Sequence, residues 1–373
     1  MKLALSYLLF DKKRFAVGVV GVAFAVILMV FQGTLMTGFM AAASLVIDSC
    51  GGEIWIVPNG VSSVDFPAVL PGRMADIARG VEGVMSVDRL CFGFLSYQRP
   101  NRTYYSLALV GIENAGAHSR FPISMVSGSE LPSLDALTID DSTARVLGLD
   151  RLPERGEIQN QKATIERVVS GYSTFLGAPY AFLSYRDAVR YLGRGKDDTN
   201  FLVIRTDSST PVSDVIDRLQ HRLPDVKVWR TEEFARGAQV YWLTQTGAGG
   251  AILSAAVLGF VIGLMVVSQT IYSSTMERIG EFATLKALGA ATSWLIRFVL
   301  VQALGVGVTG LLLGLAMVPS VVELARQHLV PWASLKPWML LAAAPPTLLM
   351  CALAALISAR SVLRLHPAEV FRA

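Results

Sequence analysis

The sequence predicts a membrane α-helical fold: four transmembrane helices, with an α+β extracytoplasmic domain inserted between the first and the second. Three observations predict it. The 373-residue chain is 53% hydrophobic and only 17% charged, which is too apolar for an ordinary soluble protein. Its charge is interrupted four times. No Asp, Glu, Lys or Arg occurs from Phe15 to Ile47, from Gly237 to Met276, from Phe298 to Val322, or from Pro337 to Ala359. Each gap exceeds the roughly 20 residues a helix needs to cross the hydrocarbon core. Between the first two gaps lie about 190 residues of ordinary globular composition, enough for a core of their own.

Residues 1–14, with Lys2, Lys12, Lys13 and Arg14, read as a cytoplasmic interfacial segment, and residues 15–47 as the first transmembrane helix with a stalk. A basic start, an apolar run and the small residues Ala41, Ala42 and Ala43 also resemble a signal peptide. The run from Phe15 to Leu35 is longer than a signal core, and retaining it leaves an even number of spans that agrees with the flanking charge.

The inserted domain spans 48–236, and its two ends read alike. Glu53–Val57 is a strand, Arg73–Arg79 a helix and Val84–Leu90 a strand. Phe201–Arg205 is a strand, Val212–Leu223 an amphipathic helix, ended by Pro224-Asp225, and Val226–Trp229 a strand. Two β-α-β units suggest a split-pair α+β subdomain from 48–114 and 199–236. Strands around Tyr104–Gly111, Ala163–Gly171 and Tyr180–Ser184, with Gly- and Pro-rich turns, suggest a mostly β subdomain from 115–198.

The rest follows as a stalk and second transmembrane helix at 237–276, a cytoplasmic helix at 277–292, a third span at 293–322, an outer loop at 323–336, a fourth span at 337–360 and a tail at 361–373. The short loop between spans two and three holds Arg278, Lys286 and Arg297, and the tail holds Arg364 and Arg372 just after Arg360. Those segments and both termini are therefore expected in the cytoplasm. Glu323, Arg326 and Lys336 give the loop between spans three and four a weaker bias, as expected outside. As one helix, the uncharged stretch from Gly237 would extend about 60 Å against about 30 Å of hydrocarbon. It opens with a polar-aromatic lead-in, Gln239, Tyr241, Trp242, Thr244 and Gln245, so spans one and two are expected to continue beyond the membrane as stalks. Gly259 with Gly263, and Gly310 with Gly314, have the small-xxx-small spacing that permits close helix contact, either inside one bundle or between two copies.

Chemistry-bearing motifs are missing. The chain has no Gly-x-x-x-x-Gly-Lys-Ser/Thr phosphate loop, so it is not expected to hydrolyse ATP itself. His118, His221, His328 and His366 lack metal-ligand spacing, and no Gly-x-Ser-x-Gly elbow occurs. No catalytic, cofactor or metal residue is assigned. Asp140-Asp141 and Asp197-Asp198 read as solvated acids in turns. The strongest polar groups in the spans are the uncharged Gln32, Gln269 and Gln302, which disfavours a proton-driven transporter. The net charge of +4 sits beside apolar spans, where topology explains it, so nucleic acid is not the expected partner. Cys351 reads as inert packing, and Cys50 and Cys91 could pair in an oxidising compartment.

The informative segment is Met276–Ala290. Ile279, Phe282 and Leu285 follow helical spacing and Gly289 is a natural stop, giving a short amphipathic helix that could grip a partner or lie in the headgroups. Arg278, Glu281, Phe282, Leu285, Lys286, Ala287, Leu288, Gly289 and Ala290 resemble the Arg-x-x-Glu-Ile/Phe-x-x-Leu-Arg/Lys-Ala-x-Gly-Ala signature of FtsX-like permeases, the MacB and LolC/LolE type of ABC transporter subunit. The order of spans and the ending Pro367-Ala-Glu-Val-Phe-Arg372 extend the resemblance along the chain. The start, Ala23–Leu28 after Lys12 and Arg14, is most similar to the DevC branch, tied to glycolipid export with a membrane-fusion partner.

The resemblance implies a bacterial inner-membrane permease with a periplasmic domain. It implies ATP bound by a separate ABC ATPase subunit, a second permease copy or paralogue, and a membrane-fusion protein with an outer-membrane channel. Residues 277–292 would be the ATPase-coupling helix, and export of a lipid, glycolipid or other amphipathic molecule would proceed by mechanotransmission. FtsX-like signalling to a periplasmic partner and haem or antibiotic efflux are the alternatives it leaves open.

Overall fold

A computed structural model of the chain describes residues 12–113, 134–149, 151–195, 198–277, 280, 281, 284, 288 and 291–363. In chain order the elements are α1 (Lys12–Ala43), α2 (Leu45–Ser49), β1 (Ile54–Pro58), β2 (Leu70–Pro71), α3 (Arg73–Arg79), β3 (Val84–Gln98), β4 (Tyr104–Ile112), β5 (Ala136–Asp140), α4 (Asp141–Leu147), β6 (Glu154–Ile158) and β7 (Gln161–Val169). Then follow β8 (Tyr180–Ser184), α5 (Tyr185–Tyr191), β9 (Asp198–Thr199), β10 (Phe201–Thr206), α6 (Val212–Arg222), β11 (Val226–Arg230), α7 (Thr231–Thr244), α8 (Ala248–Glu277), α9 (Thr292–His328), α10 (Pro337–Ala342) and α11 (Ala344–Leu363). They fall into two compact units, one of Met1–Gly38, Gly249–Leu329 and Ala333–Ala373, the other of Phe39–Ala248 with Val330–Trp332.

The first unit is helical. Among the described residues four stretches are long and apolar enough to cross a membrane: Phe15–Ala43, Ala248–Glu277, Ile296–His328 and Pro337–Ser358. Their shared core joins Val22, Ala25 and Val26 of α1 to Val267 and Ile271 of α8, Val299 and Val306 of α9, and Met350 and Ala354 of α11. The expected second stalk is corrected here. The uncharged stretch from Gly237 is two helices, not one: α7 ends at Thr244 and α8 begins at Ala248. Gly247 between them has φ +75°, a left-handed conformation that stops a helix and favours glycine.

In the second unit, the described strands make a nine-stranded sheet, β11-β1-β10-β3-β4-β8-β5-β7-β6, and a two-stranded one, β2-β9. The two β-α-β units interleave, because β10 lies between β1 and β3, antiparallel to both, and β1 lies between β10 and β11. Both faces of this part are covered. Ile54, Ile56, Leu202 and Ile204 meet Ala75 and Ala78 of α3 and Val215 and Leu219 of α6. The alternate residues Trp55, Val57, Phe201 and Val203 meet Val46 and Ile47 of α2 and Phe234 and Ala238 of α7. Covered on both faces, β1 is apolar throughout rather than alternating.

The remaining strands do not form a separate sheet. β3 carries on beyond Leu90 to pair with β4 as far as Gln98, and a further pairing of β3 with β6 closes β3-β4-β8-β5-β7-β6 into a ring. Leu107, Leu109, Ile139, Ile165 and Leu183 of that ring share a core with Ala188 and Tyr191 of α5. Cys50 and Cys91 are buried free thiols, so no disulfide links them. The reading of Asp140 as a solvated acid is also corrected. Its side chain is buried, caps α4 by accepting from the Ser142 N–H at 3.0 Å, and accepts from the Tyr172 N–H at 2.7 Å. Burial still raises its carboxyl above the ordinary aspartate range, and these hydrogen bonds oppose that.

Candidate functional site

Of the residues assigned to the coupling helix, Arg278, Ile279, Phe282, Leu285, Lys286 and Gly289 lie outside the described residues. Gly280, Glu281 and Thr284 are helical. The Thr284 hydroxyl donates to the Gly280 carbonyl at 2.8 Å, and the Leu288 N–H donates to the Thr284 carbonyl at 3.0 Å. Leu288 itself is 80% exposed. An apolar side chain that exposed, in the link between two apolar helices, is available to a membrane surface or a protein partner.

All four glycines with small-xxx-small spacing face helices of the same bundle. A Cβ on Gly310 would stand 2.5 Å from Val22 Cβ and 2.9 Å from the Val19 carbonyl oxygen. On Gly314 it would stand 2.9 Å from Val26 Cβ, and on Gly263 2.5 Å from Ala25 Cβ. Gly259 is looser, with Leu28 Cβ at 3.3 Å. Glycines of α8 and α9 thus bring both helices against α1. Two buried hydroxyls in this unit find backbone acceptors: the Thr34 hydroxyl donates to the Val30 carbonyl at 2.8 Å and Ser358 to the Ser268 carbonyl at 3.2 Å. Among the described residues no group of three or more His, Cys, Asp or Glu side chains could hold a metal ion.

The second unit holds a polar node that sequence reasoning missed. Asp65, in the loop after β1, is 4% exposed. Its Oδ2 accepts from the Ser63 hydroxyl at 2.8 Å and from the indole N–H of Trp242 at 2.9 Å, and its Oδ1 accepts from the Tyr180 hydroxyl at 3.2 Å. Desolvation raises the Asp65 carboxyl above its ordinary value, and the three donors oppose that rise. Aromatic rings surround the node. Phe175 lies 4.7 Å and Phe66 5.5 Å from Trp242, and Phe39 lies 4.4 Å from Phe175 and 6.2 Å from Trp332. A second tie runs beside it: Gln239 donates to the Ser44 hydroxyl at 3.0 Å, and Ser44 donates to Asp48 at 2.7 Å. The chain entering this unit at Ser44 and leaving it through α7 is therefore cross-braced. Trp242 stood out in the sequence as part of a polar-aromatic lead-in. Its acceptor, 177 residues earlier, did not.

A protein-family model described as FtsX-like permease C-terminal matches residues 253–367, which take in α9, α10, α11 and most of α8. The chain carries an FtsX-like permease domain. The permease is 24% identical over 367 residues to a protein of Mycobacterium tuberculosis named uncharacterized ABC transporter permease, covering 96% of each chain. A Mycobacterium bovis protein of the same name matches equally. Solved structures similar to the permease include the periplasmic region of MacB from Actinobacillus actinomycetemcomitans, at 10% identity and a TM-score of 0.39, covering 52% of this chain and 94% of that one. Another is the extracellular domain of the ABC-type transporter YknZ from Gram-positive bacteria, at 15% identity and a TM-score of 0.36, covering 48% and 99%.

Proposed function

We propose that this permease is the membrane subunit of an ABC transporter in the bacterial inner membrane, with both termini in the cytoplasm. A separate ATPase binds the segment around Glu281 and Leu288 and supplies the energy. A second permease copy or a paralogue completes the assembly, and a membrane-fusion protein with an outer-membrane channel receives the substrate. The substrate is a lipid, glycolipid or other amphipathic molecule, displaced by movement carried from the ATPase to the large domain.

The observation that carries this reading is the FtsX-like permease domain over 253–367, within a chain similar along 96% of its length to proteins named ABC transporter permease. Three features support the mechanical part. The charge-free stretches 15–47, 237–276, 298–322 and 337–359 leave charged residues only near the ends of the four spans, which disfavours an ion-driven cycle. The first helix is 32 residues, roughly 48 Å, longer than the hydrocarbon core. The cross-brace at Ser44, Gln239, Asp65 and Trp242 stiffens the large domain where the chain enters and leaves. The test is reconstitution in nanodiscs with the ATPase encoded beside it. Hydrolysis should depend on the permease, and extraction of a fluorescent lipid should depend on hydrolysis. An ATPase that neither binds the permease nor responds to it would overturn the reading.

A further inference from the structure

The outward face of the ring in the second unit carries cations with no ion-pair partner among the described residues. Its register places them. Arg155 of β6 stands opposite Thr164 of β7, Lys162 of β7 opposite Glu157 of β6, and Glu157 opposite Gln98 of β3. Residues opposite one another share a face, as do residues two apart on one strand. The hairpin between β3 and β4 adds Arg102 at the rim of the same concavity, whose volume is about 640 Å³.

The charges in its wall divide into two sets. Arg99 is held by Glu154, with N–O distances of 2.9 and 2.7 Å, and Asp135 is held by Arg190, which also pairs with Asp187 at 3.0 Å, so neither Arg99 nor Asp135 is an unpaired charge. Arg102, Arg155 and Lys162 have no ion-pair partner among the described residues, against one unpaired carboxylate, Glu157. Three cations and one anion leave the concavity positive. Two residues of its wall, Arg102 at φ +62° and Asp135 at φ +72°, hold the left-handed conformation that side chains rarely adopt. Such strain gathers where a fixed geometry is needed at a site.

A second hollow of about 390 Å³ adjoins the first and shares Gln98 and Glu157 with it. It is lined by Phe94, 45% exposed, and Tyr104, 65% exposed. Phe94 and Gln98 are four apart on β3, and Tyr104 stands opposite Gln98, so both rings lie on the face that carries the cations. A guanidinium and an ammonium side by side fit the oxygens of a phosphate, and exposed rings alongside fit an apolar group attached to it.

We propose that this face binds the phosphate of an amphipathic molecule, with Arg102, Arg155 and Lys162 holding the phosphate and Phe94 and Tyr104 taking the apolar part. The inference deepens the amphipathic-substrate reading and rests on it for the class of ligand.

The test uses the full chain in nanodiscs of neutral lipid, without nucleotide or ATPase, and calorimetric titration with dihexanoyl phosphatidic acid. Saturable binding is expected. Binding should fall at least tenfold for zwitterionic dihexanoyl phosphatidylcholine and in the Arg155→Gln/Lys162→Gln variant. Arg102→Gly relieves the strained backbone, so it should weaken binding with an unchanged or higher melting temperature. Phe94→Ser/Tyr104→Ser should weaken phosphatidic acid while leaving inorganic phosphate unaffected. Inorganic phosphate binding as tightly as the lipid would overturn the amphipathic assignment. Tighter binding of a hexaglutamate peptide, or phosphatidic acid binding unchanged in the Arg155→Gln/Lys162→Gln and Arg102→Gly variants, would overturn the site. Because no ATPase is present, a permease that couples to its ATPase but ignores phosphatidic acid sinks this inference and leaves the function standing.

Discussion

The indole N–H of Trp242, near the end of α7, donates to Oδ2 of Asp65, in the loop after β1, at 2.9 Å. The bond joins residues 177 apart in sequence and sits beside a second carboxylate contact from Tyr180. It holds the last turn of a helix that leads directly to α8.

Asp65→Ala should destabilise the large domain by about 1–3 kcal/mol, because it strands the buried Tyr180 hydroxyl and leaves the Trp242 indole only its longer bond to the Ser63 hydroxyl, at 3.2 Å. Trp242→Phe leaves Asp65 two donors and should cost about 1 kcal/mol in hydrogen bonding. Chemical denaturation followed by Trp fluorescence, and a double-mutant cycle, measure both. Additive losses would show that the two side chains do not act together.

The same carboxylate sets a pH dependence. Its folded pKa is raised above the ordinary 3.8 by burial, so the folded protein holds that proton more tightly than the unfolded chain. The stability it contributes is full below the unfolded pKa and is lost as pH rises through the folded one. The stability of wild type relative to Asp65→Asn should therefore fall as pH rises from about 4 through the folded pKa. A relative stability that rises with pH would contradict the assigned direction.

In the bundle, Gly310→Ala and Gly259→Ala should behave differently. At Gly310 the new methyl meets the Val19 carbonyl oxygen at 2.9 Å, and backbone cannot step aside. Overpacking of this kind costs about 1–3 kcal/mol. At Gly259 the nearest atom is Leu28 Cβ at 3.3 Å, which needs a shift of a few tenths of an ångström. Melting temperatures of the purified permease should fall for the first variant and change little for the second. A change in oligomeric state with unchanged melting would instead place Gly310 at a contact between copies.

For the segment proposed to bind the ATPase, Phe282→Asp/Leu285→Asp should insert normally but lose at least nine-tenths of the ATPase that co-purifies with it. Charge placed in an apolar socket without a partner costs about 3–5 kcal/mol. Co-purification at wild-type level, with insertion or expression impaired, would mean that this segment lies in the headgroups.

Orientation is checked by cysteine labelling in a background lacking Cys50, Cys91 and Cys351, all of them buried. A cysteine at Ser209, which is exposed on the large domain, should react with an impermeant thiol reagent in cells with a permeabilised outer membrane. One at Ser361 should stay protected. The reverse pattern would invert the topology.

Elements bounded by composition were legible in the sequence, and contacts between distant residues were not. The apolar helices follow from charge-free gaps, and β8 was read at its observed bounds because Tyr180–Ser184 is a short apolar run between turns. β3 was read as ending at Leu90, and it runs to Gln98. Gly93 lies in the unread part, and its missing side chain makes room for Leu192, whose Cδ2 would be 2.3 Å from a Cβ. Asp140 looked like a turn acid because capping leaves only a weak local mark, and its bond to the Tyr172 N–H spans 32 residues. The continuous second stalk failed at Gly247, since an uncharged run says nothing about the φ of one glycine inside it.

The length of β3 has a consequence for how the large domain yields. Its fifteen residues pair with β10 from Val84 to Leu90, with β4 from Leu90 to Gln98, and with β6 at Tyr97 and Gln98. The interleaved β-α-β part and the closed ring are therefore two ends of one hydrogen-bonded ribbon, with no linker to bend between them. A load on either end is taken in shear across these ladders, which meet at Leu90. Amide exchange should show β3 among the slowest strands, slowest about Leu90, where its two ladders meet.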